Sequence, residues 1–233
     1  RESGLFFRPS TGVLDGDIPM SARLPDGATV SLATTYAAPV TITALSNAAE
    51  AVATATNTYV AGDYVLITSG WSNLNNRVVR VKSPTGTNFV LEGIDTTSTA
   101  NYPTGSGTGT STKISAWTQI QQIMNFSTSG GEQQFATYSF LEQNFESQIP
   151  TIYSAQSMAL DIADDPTLAG YIALKAAADA RAQRALQILM PDNSRLLYQG
   201  YVSFNETPSV SKGQVMQVKA SFALQSRPVR YAT

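Results

Sequence analysis

The stretch RLLYQGYVSFNETPSVSKGQVMQVKASFALQ, residues 195–225, decides the fold. In its first part Tyr198, Val202 and Phe204 fall on one side and Gln199, Ser203 and Asn205 on the other. After a polar turn at 208–213 the alternation resumes, with Val218, Ala220, Phe222 and Leu224 set against Gln217, Lys219, Ser221 and Gln225. A period of two belongs to extended chain, in which successive side chains point to opposite faces. The expected product is an antiparallel hairpin with one apolar face and one wet face. A further strand is expected at 186–190, joined to it by the turn Pro191-Asp192-Asn193-Ser194.

Upstream the pattern turns helical. Asp165 as N-cap and Pro166 at the first helical position predict a helix running to about Leu186, before Pro191 stops it. At 100° per residue Tyr171, Leu174, Ala178, Ala182, Ala185 and Leu189 share one stripe. Ala169, Ala173, Ala176, Ala177 and Ala180 form a second, small-residue face suited to close approach by a neighbouring subunit; Ala is equally just a good helix former. Before the helix, 157–162 alternates as a half-buried strand, and 113–126, with Trp117, Ile120 and Ile123, reads as a strand of the main sheet. Residues 28–44 suit one long strand or two divided near Pro39, and the Gly- and Pro-broken 1–27 reads as an extended arm in which Leu5-Phe6-Phe7 docks as a short strand.

Between these parts the texture changes. Short strands are expected at 51–56, 64–68, 77–82 and 88–91, followed by a flexible Thr/Gly/Ser return at 96–112. The fold class is therefore mainly β with one α-helix, an α+β protein in two parts: 1–44 with 113–233, and a small inserted β domain at 45–112. Residues 127–150 read as a long loop opened by Gly130-Gly131. Its Phe135, Tyr138, Phe140, Leu141 and Phe145, flanked by Glu142 and Glu146, argue against disorder.

Composition narrows the chemistry. The 233 residues include no Cys and no His, which removes thiol nucleophiles, imidazole bases and the usual zinc, copper and haem ligands. A Ser-Lys dyad would have to draw on Lys82, Lys113, Lys175, Lys212 or Lys219, none in a Ser-x-x-Lys pattern near a credible active-site loop. Asp164-Asp165 is better explained as a helix start than as a carboxylate pair, and Gly105–Gly109 has no following Lys-Ser/Thr to make a phosphate loop. No catalytic residue, metal site or cofactor is expected. The formal charge of -2 predicts neither a nucleic-acid nor a membrane binder, and no apolar run reaches the ~18 residues of a membrane span. The Arg-Glu-Ser-Gly start is not a signal peptide and lacks an initiator Met, so a soluble chain beginning further upstream is expected. Charge is uneven, with six acidic and no basic side chains in 132–174, but five basic ones against Glu206 alone in 195–233. Solvated faces and charge matching between subunits both account for it.

The order of these elements resembles the tail tube proteins of long-tailed bacteriophages. The likeness is carried by the Pro166 helix with its exit Ala185–Ser194, by Tyr198–Phe204, and by Val218–Val229; the strands around Tyr64–Ile67, Arg77-Val78 and Phe89–Leu91 look like the small β inserts of phage tail proteins. The resemblance implies a β-barrel-forming sheet with a flanking helix, and subunits joined in hexameric rings. Such rings stack head to tail around a lumen, which holds a tape-measure protein during assembly and later passes double-stranded DNA. It also implies tail terminator and baseplate or tip proteins as partners, a place in the virion tail, and assembly in the host cytoplasm. On that reading Gln199, Ser203, Asn205, Gln217, Lys219, Ser221, Gln119, Gln121 and Asp161 are lumen candidates, with Lys219 expected near a carboxylate or at the rim. Phe135, Tyr138, Phe140, Leu141, Glu142, Phe145 and Glu146 are ring-stacking candidates. A terminator or adaptor ring protein, and a secreted carbohydrate-binding or adhesin module using Trp71, Trp117 and Tyr64, are the rival readings.

Overall fold

The computed structural model describes residues 26–232; the expected N-terminal arm and its short strand lie outside the described residues. The chain opens with β1 (Thr29–Tyr36), β2 (Val40–Ile42) and β3 (Ala44–Leu45), divided at Pro39 as the missing N–H of proline requires. Next come β4 (Val52–Thr54), β5 (Tyr64–Ser69), β6 (Arg77–Lys82) and β7 (Asn88–Leu91), then the long β8 (Gly109–Ile120). After β9 (Ile123–Ser129) follow β10 (Gln133–Tyr138), β11 (Ser147–Tyr153), β12 (Ser157–Ala163) and helix α1 (Ala169–Asp179). The end of the chain supplies β13 (Gln183–Leu189), β14 (Arg195–Ser209), β15 (Gln217–Leu224) and β16 (Val229–Tyr231).

Among the described residues, all strands but β10 and β11 belong to one curled, wholly antiparallel fourteen-stranded sheet, a half-barrel whose main path runs β3-β4-β7-β6-β5-β8-β1-β13-β14-β15-β12-β9, with β2 paired to β8 and β16 to β14. The expected mainly-β fold with one helix is what the chain adopts. Strand β8 serves three neighbours: Gly109 to Lys113 pair with β5, Gly109 to Ser111 also with β2, and Ile114 to Ile120 with β1. The small β unit is thus continuous with the main sheet.

Two hydrophobic clusters lie on opposite faces. On one, α1 lays Tyr171, Leu174 and Ala177 over Leu32, Ile120, Leu160, Ile188, Val202, Ala220 and Phe222. The helix comes close because Gly170 has no Cβ; one would stand 2.7 Å from the Gln119 carbonyl oxygen. The other cluster gathers Val65, Ile67, Trp71, Val79 and Phe89 of the small unit against Leu197, Ala185, Val229 and Tyr231. Truncating a side chain as buried as Phe222 would cost about 3–5 kcal/mol.

Three local expectations are corrected. The helix is eleven residues long, with Leu168 at the N-cap position and no side-chain cap. Asp165 instead accepts from the Thr167 amide and hydroxyl at 3.0 and 2.6 Å, which holds its carboxyl below the usual carboxylate range. Arg181 takes a left-handed turn (φ 47°), and the chain becomes β13, whose Ala185–Ile188 core is buried between β1 and β14. Strand pairing overrides the helical preference of the alanines there. The single strand expected at 113–126 breaks at Gln122 (φ 57°) into β8 and β9. The return at 96–112 is packed rather than flexible: the Asn47 amide donates to the Thr96 and Tyr102 carbonyls, both at 2.9 Å, and the Trp71 indole donates to the Pro103 carbonyl at 2.8 Å.

Candidate assembly surfaces

The polar alternation of β9, β12, β15 and the middle of β14 adds up to one surface. Cross-strand register aligns Asn125, Asp161, Lys219 and Asn205 in one row and Ser127, Ala159, Ser221 and Ser203 in the next. Ser129, Ser157, Ala223 and Tyr201 make a third. Directly paired residues point to the same side of a sheet, so these rows form the face away from α1. Ser203, Asn205 and Lys219 are exposed there, Ser221 and Asp161 half-buried. The Asn125 amide donates to Asp161 at 3.1 Å, and Lys219 stands opposite that carboxylate, as a lone cation on a polar face requires. Gln217, opposite Ala163, is half-buried at the end of the same face. Gln119 is exposed at the β8 edge of β1, and Gln121 lies past the end of β8.

Gln199 is the exception and is corrected here. Its parity is that of Ser203, yet it is fully buried, and among the described residues neither its amide nitrogen nor its amide oxygen finds a hydrogen-bond partner. Near Gln199 that face is covered, because its neighbours Ala185 and Leu197 pack into the cluster of the small β unit.

The segment expected as a loop at 127–150 is a projecting two-stranded arm. Among the described residues β10 pairs only with β11, and the two continue β9 and β12 beyond a kink at Gly130-Gly131. Gly130 (φ 76°) lies so close to the Ala155 carbonyl oxygen that no Cβ fits. The arm exposes Phe135, Tyr138, Phe140, Phe145 and, completely, Leu141; Glu142 and Glu146 are exposed beside them. Ile149, Ile152 and Tyr153 add to this surface, and a ribbon exposed on both faces shows no alternation in its sequence. At its base Arg227 stacks 3.7 Å over the Tyr153 ring, along an open groove of about 540 Å³ lined by Gly131, Gln156 and Gln225.

A second projection, the turn between β14 and β15, exposes Val210, Val215 and Met216, also unnoticed in the sequence. On α1 and at its C-cap, Ala169, Ala176 and Ala180 are exposed with Ile172, whereas Ala173 is half-buried and Ala177 is buried in its own core. The small-residue face is thus narrower than its sequence suggests. Trp71 is buried, and Tyr64 and Trp117 pack edge to face at 6.1 Å. Among the described residues no cluster of His, Cys, Asp or Glu is arranged to hold a metal.

The family model of phage tail tube proteins matches residues 69–233, from the end of β5 through the polar face, the arm and the helix. No curated protein matches the chain. With most of its length matched, the chain belongs to the phage tail tube protein family, whose members are structural components of the viral tail.

Proposed function

We propose that copies of this chain close into hexameric rings that stack head to tail into a tube. The polar face around Asp161, Ser203, Asn205, Lys219 and Ser221 lines its lumen, with Gln217, Gln119 and Gln121 toward its margins. The observation that carries this reading is the sheet itself, which ends at β9 with a seven-residue strand unpaired on its outer side among the described residues. An open edge offers a row of backbone donors and acceptors, and closure with neighbouring copies satisfies them.

A tape-measure protein occupies the lumen during assembly in the host cytoplasm, and double-stranded DNA passes later. Neutral hydroxyls and amides suit passage, since phosphate affinity grows with the number of cations that neutralise phosphates. The arm carrying Phe135, Tyr138, Phe140, Leu141 and Phe145 reaches the next ring, and terminator and baseplate or tip proteins close the ends. Ala169, Ala176 and Ala180 with Ile172 face a neighbouring subunit. The division into a tube-forming part, 1–44 with 113–233, and an inserted unit, 45–112, belongs to this proposal. Residues 45–112 supply most of one hydrophobic cluster, which supports it, while β8 and the share of that cluster taken by Ala185, Leu197, Val229 and Tyr231 make the insert an extension of the sheet.

Negative-stain microscopy of the purified protein tests the reading. Long tubes are expected. Single rings that never lengthen would favour a terminator or adaptor, and a monomer that binds immobilised glycans would favour a carbohydrate-binding module. Burial of Trp71 already weighs against the latter.

A further inference from the structure

The arm and the turn between β14 and β15 leave the main sheet at opposite ends of the same strands. Strand β12 begins at Ser157, opposite Ser129 and Ala223, where the arm departs. It ends at Ala163, opposite Gln217, and the next amide, Asp164, donates to the Met216 carbonyl at 3.0 Å. About 20 Å of sheet separates the two exits, from the ~3.3 Å rise of each strand residue.

Their surfaces are complementary. Residues 132–153 carry Glu132, Glu142 and Glu146 and no basic side chain, while Lys212 is the one charged residue in 207–216. Both projections expose apolar side chains: Phe140, Leu141 and Phe145 on the arm, and Val210, Val215 and Met216 flanking the polar tip of the turn. Among the described residues, Lys212, Glu142 and Glu146 make no salt bridge within the chain. Asp165, near the turn, is engaged by Thr167.

We infer that the 208–216 turn is the docking site for the arm tip of the next copy, with Leu141 and Phe145 packed on Val210 and Val215 and with Lys212 facing Glu142 and Glu146. The inference rests on the tube reading and names the partner of its stacking arm. A tip that binds a different patch at the other end of an identical subunit makes a heterologous contact. Such contacts propagate along one axis instead of closing as a dimer.

The chain has no native cysteine, so cross-linking reads this contact directly. The full chain carrying Leu141→Cys and Val210→Cys, assembled and then oxidised, is expected to run as a ladder of dimers, trimers and longer oligomers on non-reducing gels. Either single variant is expected to stay monomeric. Tubes visible by microscopy without a ladder would overturn the inference and leave the tube reading standing, as would a ladder from Leu141→Cys with Gln225→Cys, which would put the tip in the groove beside Arg227. A chain that forms no tubes would remove both. Lys212→Glu is expected to raise the protein concentration needed for tubes several-fold, and adding Glu142→Lys with Glu146→Lys to recover most of the loss. Tubes that form in the triple variant no better than in Lys212→Glu alone would overturn the charge pairing.

Discussion

Lys219 faces Asp161 across the β15–β12 pair, and Asp161 in turn accepts a hydrogen bond from Asn125 on β9. Along β9, β12, β15 and residues 201–205 of β14 these are the only two charged side chains. They occupy one row, so the exposed polar face is neutral overall while each charge has its opposite in register.

The pairing predicts a measurable coupling. Lys219→Glu sets two carboxylates opposite each other and should lower stability by about 0.5 kcal/mol, within the range for cross-strand pairs in contact with water. Adding Asp161→Lys should restore most of it. Urea denaturation of the four proteins of this cycle checks the point; a reversed pair no more stable than Lys219→Glu would show that the two side chains do not interact.

Gln199 predicts the opposite of the usual cost of a core substitution. An amide buried without a partner carries a desolvation penalty of about 1–3 kcal/mol, and both of its polar atoms lack one among the described residues. Gln199→Leu keeps a similar volume and should leave the protein as stable as before, or more stable by roughly 1 kcal/mol. A clear loss in the thermal or urea midpoint would show that the amide is satisfied after all.

Gln199 also marks how far the sequence could be read. Alternation in 195–225 located β14 and β15 and the side of the sheet each residue takes, because the period of two is a property of the backbone. It could not say that another layer covers that side near Ala185 and Leu197, since the cover comes from strands more than a hundred residues earlier. The helix was placed but drawn too long, because the alanines of 180–186 suit a helix and only pairing with β1 and β14 makes strand of them. The aromatic arm was singled out as a contact surface from its composition, yet its two strands left no periodic mark, both their faces being wet. The short strands β6 and β7 were legible to the residue, being bounded by turn sequences.

Tyr231 predicts alkaline sensitivity. Its hydroxyl accepts from the Arg80 amide at 2.8 Å and donates to the Glu92 carbonyl at 3.1 Å, tying β16 to the small β unit. Burial pushes its pKa up to about 12 from the ordinary 10.0. Above pH 10 the unfolded chain gives up this proton while the folded chain keeps it. The associated stability is therefore complete below pH 10 and is lost progressively toward pH 12, a fall of roughly 3 kcal/mol at ~1.4 kcal/mol per pK step. Tyr231→Phe should cost about 1–2 kcal/mol at pH 7 through its lost hydrogen bonds, and should show a shallower decline between pH 10 and 12. Parallel slopes for the two proteins would remove Tyr231 as the source.

Gly130 and Gly131 predict that the arm can be disturbed without disturbing the sheet. At Gly130 a side chain meets both a left-handed backbone and the Ala155 carbonyl. At Gly131 (φ 83°) the nearest obstacle is the Gln156 side chain at 3.3 Å, which can move aside. Gly130→Ala should therefore cost more than Gly131→Ala, about 1–3 kcal/mol for the strained backbone and displaced carbonyl. Because β10 and β11 pair only with each other among the described residues, that cost should be felt locally. Hydrogen exchange should show faster exchange of the β10 and β11 amides in Gly130→Ala, with those of β12 and β15 protected as before. If β15 loses protection to the same extent, the arm is part of the cooperative core, and its kink is a structural joint of the sheet instead of the mount of a separate contact element.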